Sequence, residues 1–150
     1  MAKSDETTLR KLIEARNASI RAGDAAGALE AVAENVTSYD LRPPLVFHGA
    51  AARDKWALEQ WLASWDGPVD VEMHDPTIMV DGDLAVAFGL SRMRGKKKAE
   101  GKVELWYRVT LCFERKHGEW KVFHEHISVP FLMDGSGKAA LDLRPEGPTA

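Results

Sequence analysis

The sequence has one cysteine in 150 residues, Cys112, so no internal disulfide can form. Its place, mid-strand among apolar residues, is that of an inert core thiol. No apolar run approaches the ~20 residues of a membrane-spanning helix. The charged opening, 1–6, lacks the apolar centre of a secretory signal. A cytoplasmic protein without membrane contact is therefore expected. A net charge of −3 gives no electrostatic reason to bind nucleic acid, and the basic run 92–98 reads as a solvated turn. No internal repeat and no linker divides the chain. One domain over 1–150 is expected, with an ordered core of about 5–131 and a Gly-, Pro- and charge-rich tail over 132–150.

What is present is an amphipathic beginning followed by strands. Ser4 can cap a first helix, with Leu9, Leu12, Ile13, Arg16 and Ile20 at helical spacing. Gly23 ends it and Asp24 can cap a second. Val36–Asp40 reads as a short strand, broken by Pro43 and Pro44, and Ala50–Trp65 as a third helix. From Val69 the pattern is all strand: Val69–Val80, interrupted at Asp75 and Pro76, a turn at Asp81–Asp83, then Leu84–Met93. A charged loop is expected over Arg94–Gly101, followed by a long hairpin, Trp106–Pro130. Helices first and a strand meander after them indicate an α+β fold.

The hairpin carries the chemistry. Unbroken alternation puts Trp106, Arg108, Thr110 and Cys112 on one face with Trp120, Val122, His124, His126 and Ser128. The other face holds Tyr107, Val109, Leu111 and Phe113, then Phe123, Glu125, Ile127 and Val129. We expect the titratable face inside, lining a hollow, and the apolar face outside. So large an apolar outer face is unsuited to water, which predicts a homodimer through the outer sheet face. A one-residue error in register exchanges the two faces.

Two stretches, 33–40 (Ala-Glu-Asn-Val-Thr-Ser-Tyr-Asp) and 118–128 (Gly-Glu-Trp-Lys-Val-Phe-His-Glu-His-Ile-Ser), together with the order of elements, resemble the nuclear transport factor 2-like superfamily. The resemblance is closest to its SnoaL-like and ketosteroid isomerase-like branch and spans about 5–131. It implies a cone-shaped, curved antiparallel sheet wrapped around N-terminal helices, a pocket between them, and commonly a homodimer. It names no substrate and implies no cofactor.

Asp40 matches the position where the isomerases of this branch carry their general base. The first helix has no tyrosine, however, and the strand offers Arg108 and Thr110 where a protonated acid is expected, which argues against steroid isomerisation. The expected catalytic set is Asp40, His126 and Arg108, converging at the polar end of one cavity: carboxylate and imidazole as acid and base, guanidinium as anion holder. His124, Trp56, Trp106, Thr110 and Ser128 are expected to line it as ligand-binding residues. The plain alternative is an ion-pair network, Asp40 with Arg108 or with turn amides, that does no chemistry. His124 and His126 lack a third ligand at telling spacing, so no metal is expected. The sequence thus points to an isomerase-, cyclase- or dehydratase-type acid–base enzyme for a small, largely apolar metabolite. The alternative is a non-catalytic ligand-binding or dimeric assembly module of the same fold.

Overall fold

The computed structural model describes residues 2–145, with side chains from Ser4 onward. Helix α1 (Ala2–Arg21) is followed by α2 (Ala25–Leu29) and α3 (Lys55–Ala63). The strands are β1 (Val32–Tyr39), β2 (Phe47–His48), β3 (Asp70–Asp81), β4 (Leu84–Lys97), β5 (Gly101–Lys116) and β6 (Glu119–Ser128). They form one curved sheet in the order β2-β1-β6-β5-β4-β3. All neighbours are antiparallel except β1 and β6, which run parallel and are separated in the chain by four strands and the helical segment. Among the described residues no helix is long and apolar enough to cross a membrane.

Local chemistry accounts for the starts and stops. The Asp24 and Asp54 carboxylates accept from the amides of Gly27 (2.9 Å) and Ala57 (3.0 Å), capping α2 and α3. The third helix is shorter than expected: a 3-10 turn at Gly49–Ala51 precedes it, and the chain reaches helical geometry only after the Asp54 cap. The expected charged loop after Met93 is mostly strand. β4 runs on to Lys97 because Trp65 packs against it: Gly95 leaves the room, since a Cβ there would lie 3.0 Å from the indole. The Lys97 ammonium then sits 4.8 Å from the Trp65 ring centroid. Beyond β6, Phe131 bridges Ala139, and Arg144 meets Glu104 at 3.1 Å. Of the expected tail, 146–150 lie outside the described residues.

The core joins α1 to the concave face of the sheet. Leu9 and Ile13 pack with Ala85, Ala87, Val109, Leu111, Phe113, Trp120 and Val122. This reverses the expected faces. Tyr107, Val109, Leu111 and Phe113 point inward beneath the chain's own helices, while Trp106, Arg108, Thr110 and Cys112 point outward. On β6 the expected row is split. Cys112 pairs with His124 but Phe113 pairs with Val122, so Phe123 is an extra residue, a β-bulge. Below it Trp120 and Val122 face in; above it Glu125 and Ile127 face in, and His124 and His126 face out. Cys112 is half-buried on the outer face, and burial still pushes its thiol up.

Two truncations report this orientation. Phe113 is fully buried, so Phe113→Ala is expected to lose about 3–5 kcal/mol. Arg108→Ala, on the exposed face, should stay within about 0.5 kcal/mol of the parent. Urea denaturation measures both; a large loss for Arg108→Ala would contradict the placement.

Candidate functional site

Curvature leaves a cavity of about 620 Å³ between α1, α3 and the concave face of the sheet, within the usual range for small-molecule sites. Most of its wall is apolar: Ile13, Ile20, Leu58, Trp61, Met73, Met93, Val109 and Leu111 all face it. The polar groups concentrate where β1, β5 and β6 meet the middle of α1.

Glu125 is the centre of that polar region. The bulge turns it inward, opposite Ser38 on the parallel neighbour β1. Arg16 of α1 reaches one carboxylate oxygen at 3.3 Å, and the Ser38 hydroxyl lies 3.5 Å from the other. Both ionic side chains are largely buried, at 19% exposure for Arg16 and 28% for Glu125. The pair leaves the guanidinium under-used, because Arg16 Nε is buried and has no protein partner.

Tyr107 supplies a second functional group. It stands directly across from Ser91, which is 3% exposed. Burial, reinforced by the negative charge of Glu125, pushes the Tyr107 phenol up to about 12. At neutral pH it is therefore a proton-bearing donor facing a cavity that also contains a carboxylate.

Asp40 sits at the rim and closes on its own loop. It accepts from the Leu41 amide at 2.7 Å and from Arg42 Nε at 3.0 Å. Arg42 in turn lies 4.3 Å over the Phe47 ring.

Of the residues expected from the sequence, the cavity holds only Asp40. Arg108, Thr110 and His126 lie on the outer face, as does His124, whose Nδ1 donates to the Thr37 carbonyl at 2.8 Å. Tyr39 is in edge contact with both histidines, at 4.8 and 5.3 Å. Ser128 and His126 border an outer hollow that Asp40 also reaches. Trp106 meets His74 and Arg92 outside, and Trp56 is 69% exposed on α3. Asp40, Arg108 and His126 therefore do not converge inside. Among the described residues, no group of three or more His, Cys, Asp or Glu is placed to hold a metal.

The residues the sequence reading passed over are Arg16, Ser91, Tyr107 and Glu125. Two carried a signal: Arg16 is the one charge in the apolar stripe of α1, and Glu125 the one charge in the apolar row of β6. A charge on an otherwise buried face needs a partner inside.

A family model described as SnoaL-like domain matches residues 9–132. A nuclear transport factor 2-like protein of unknown function from Pseudomonas putida is 30% identical, with 97% of this chain and 99% of that one covered at a TM-score of 0.84. A candidate dehydratase of the same fold family from Streptomyces avermitilis is 15% identical over 85% and 97% of the two chains, at 0.72. The association domain of C. elegans CaMKII is 15% identical over 85% and 97%, at 0.66. The last two share the fold. Among curated proteins none matches the sequence.

The phenol is directly observable, since the chain has only two tyrosines. In an ultraviolet absorbance titration, Tyr107 should ionise at about 12, and Tyr107→Phe should remove that late step. The unfolded chain releases the same proton near pH 10. Stability from this group is therefore complete below about pH 10 and falls as pH rises towards about 12.

Proposed function

The chain belongs to the SnoaL-like domain family, and on that premise we propose that it is an acid–base catalyst of a small, largely apolar metabolite, with Glu125 as the proton-transferring group. The observation that carries this reading is the position of Glu125: a carboxylate on the wall of a mainly apolar cavity, held by Arg16 and Ser38 and sharing the space with the Tyr107 phenol. Such a cavity accepts an apolar body and directs its oxygen-bearing end towards the donors. The Tyr107 O–H donates to that oxygen. Glu125 takes a proton from the adjacent carbon and returns it elsewhere, which is an isomerisation. Alternatively, the proton leaves with a neighbouring hydroxyl as water, which is a dehydration. Arg16 orients Glu125 without touching the substrate. Asp40, with Arg42, stands at the entrance, where it can admit or orient the ligand.

We assign a homodimer to the outer sheet face, built from other residues than the sequence suggested. Met79 (60% exposed), Phe88 (43%), Leu90 (39%) and Tyr39 (41%) present the apolar surface, and a self-complementary contact covers it. The similarity to an association domain agrees with this and was found at the level of fold. A non-catalytic carrier is the competing reading, favoured by the fact that the Arg16–Glu125 pair satisfies part of its own charge.

Native mass spectrometry of the purified protein, followed by a panel of apolar ketones, lactones and hydroxy ketones, identifies a ligand. With that substrate Glu125→Gln should lower kcat by about 100-fold or more, while Asp40→Asn should cost roughly tenfold or less. Equal turnover by Glu125→Gln and the parent would leave only the carrier. For the assembly, Phe88→Glu is expected to give a folded monomer in sedimentation; a wild-type chain that is itself monomeric at micromolar concentration would remove the dimer.

A further inference from the structure

The outer face and the cavity share a wall. One rung of the sheet crosses from β3 to β1 through Thr77, Phe88, Thr110, His126 and Tyr39, each paired with the next. These side chains face outward and carry no permanent charge, and the rung ends in the outer hollow that contains Tyr39 and His126. The floor of the hollow consists of Asp40, Leu41, Arg42 and Ile127, and the same four residues line the cavity on the other side. The wall is thin. Residues 41–46 lie outside any helix or strand, and Asp40 accepts from both the Arg42 side chain and the Leu41 amide of the same loop. On the outside Leu45 is 95% exposed.

We propose that a second copy of this chain, docked on the outer face, seats against the segment 39–46 and thereby completes the cavity wall, so that ligand binding and dimerisation strengthen one another. The inference rests on the assembly reading above and goes beyond it. The occupant is a second copy because the contact surface is continuous with the uncharged rung and has the composition of an interface core: aromatic and methionine side chains, with few charges. Leu45 and Leu41 extend that surface to the edge of the sheet.

The coupling follows from the shared wall. Ile127 packs on the core, but Leu41 is 40% exposed in a segment outside any helix or strand, so a docking copy must order this part of the wall itself. With an apolar ligand inside, the wall is already backed, and that ordering cost is absent from the dimerisation equilibrium. Linkage makes the effect reciprocal: whatever factor the ligand adds to the dimer, the dimer adds to the ligand.

The dimer dissociation constant, measured by sedimentation equilibrium, tests this with two independent occupants of the cavity. The first is the apolar fluorophore 8-anilinonaphthalene-1-sulfonate. The second is the variant Ala57→Trp, which places an indole in the cavity from α3, where Ala57 lines the wall, and should also exclude the fluorophore. The dimer is expected to tighten about fivefold or more with the fluorophore, and the fluorophore to bind more tightly by the same factor as the dimer fills. A tightening with either occupant supports the coupling. A dimer whose dissociation constant is unchanged or raised by both overturns the coupling and leaves the assembly reading standing. A chain that stays monomeric throughout overturns both.

Discussion

A single extra residue in β6 decides what the interior of this protein contains. Phe123 bulges between the pairs Phe113–Val122 and Cys112–His124, and side-chain parity changes sign as it passes. Before the bulge Trp120 and Val122 point inward and close the core against Phe113. After it Glu125 and Ile127 point inward and line the cavity. Without the bulge the upper part of the strand would turn its two histidines inward and its carboxylate out. The bulge therefore places a carboxylate in the cavity and an imidazole pair on the outer face in one step. Bulges recur where a sheet has to re-aim a side chain, and they increase local twist; here both effects serve the hollow, because twist is also what curls the sheet around α1.

The chain order was legible to the extent that it depends on local signals. The stripe of α1, the Asp24 cap, the break at Asp75 and Pro76 and the turn at Asp81–Asp83 each report on neighbours in sequence, and each is found. The face of each strand was not legible. Alternation gives two faces but does not say which is covered, and an inward row of His and Arg looked as plausible as an inward row of Val, Leu and Phe. The physical tie-breaker was available: Arg16 and Glu125 are single charges on apolar faces, so each had to find the other or a ligand. The bulge itself has no local mark, since it is defined by a partner strand. The continuation of β4 through a charged run was hidden for a similar reason: Arg94 and Lys96 alternate outward while Gly95 admits the Trp65 ring, a contact between residues thirty apart in sequence.

The two ion pairs of the polar region differ in what they do for the fold. Asp40 with Arg42 is short, at 3.0 Å, lies at the rim and joins residues two apart, so it constrains its own loop and adds little to stability, as exposed pairs generally do. Arg16 with Glu125 joins residues 109 apart, is mostly buried, and is long, at 3.3 Å. Removing two charges from water costs several kcal/mol per ion, and only good geometry and full hydrogen bonding recover it. Here the geometry is loose, one serine contact is at the outer limit of a hydrogen bond, and Arg16 Nε has no partner. A pair of aliphatic side chains at these two positions would continue the apolar stripe of α1 and the apolar row of β6 and would fill the hollow beneath them. The fold therefore bears a cost at this spot that packing alone does not explain. The cost is accounted for if the lone pairs of Glu125 that Arg16 and Ser38 leave free face a guest in the cavity, with Arg16 holding the carboxylate in place.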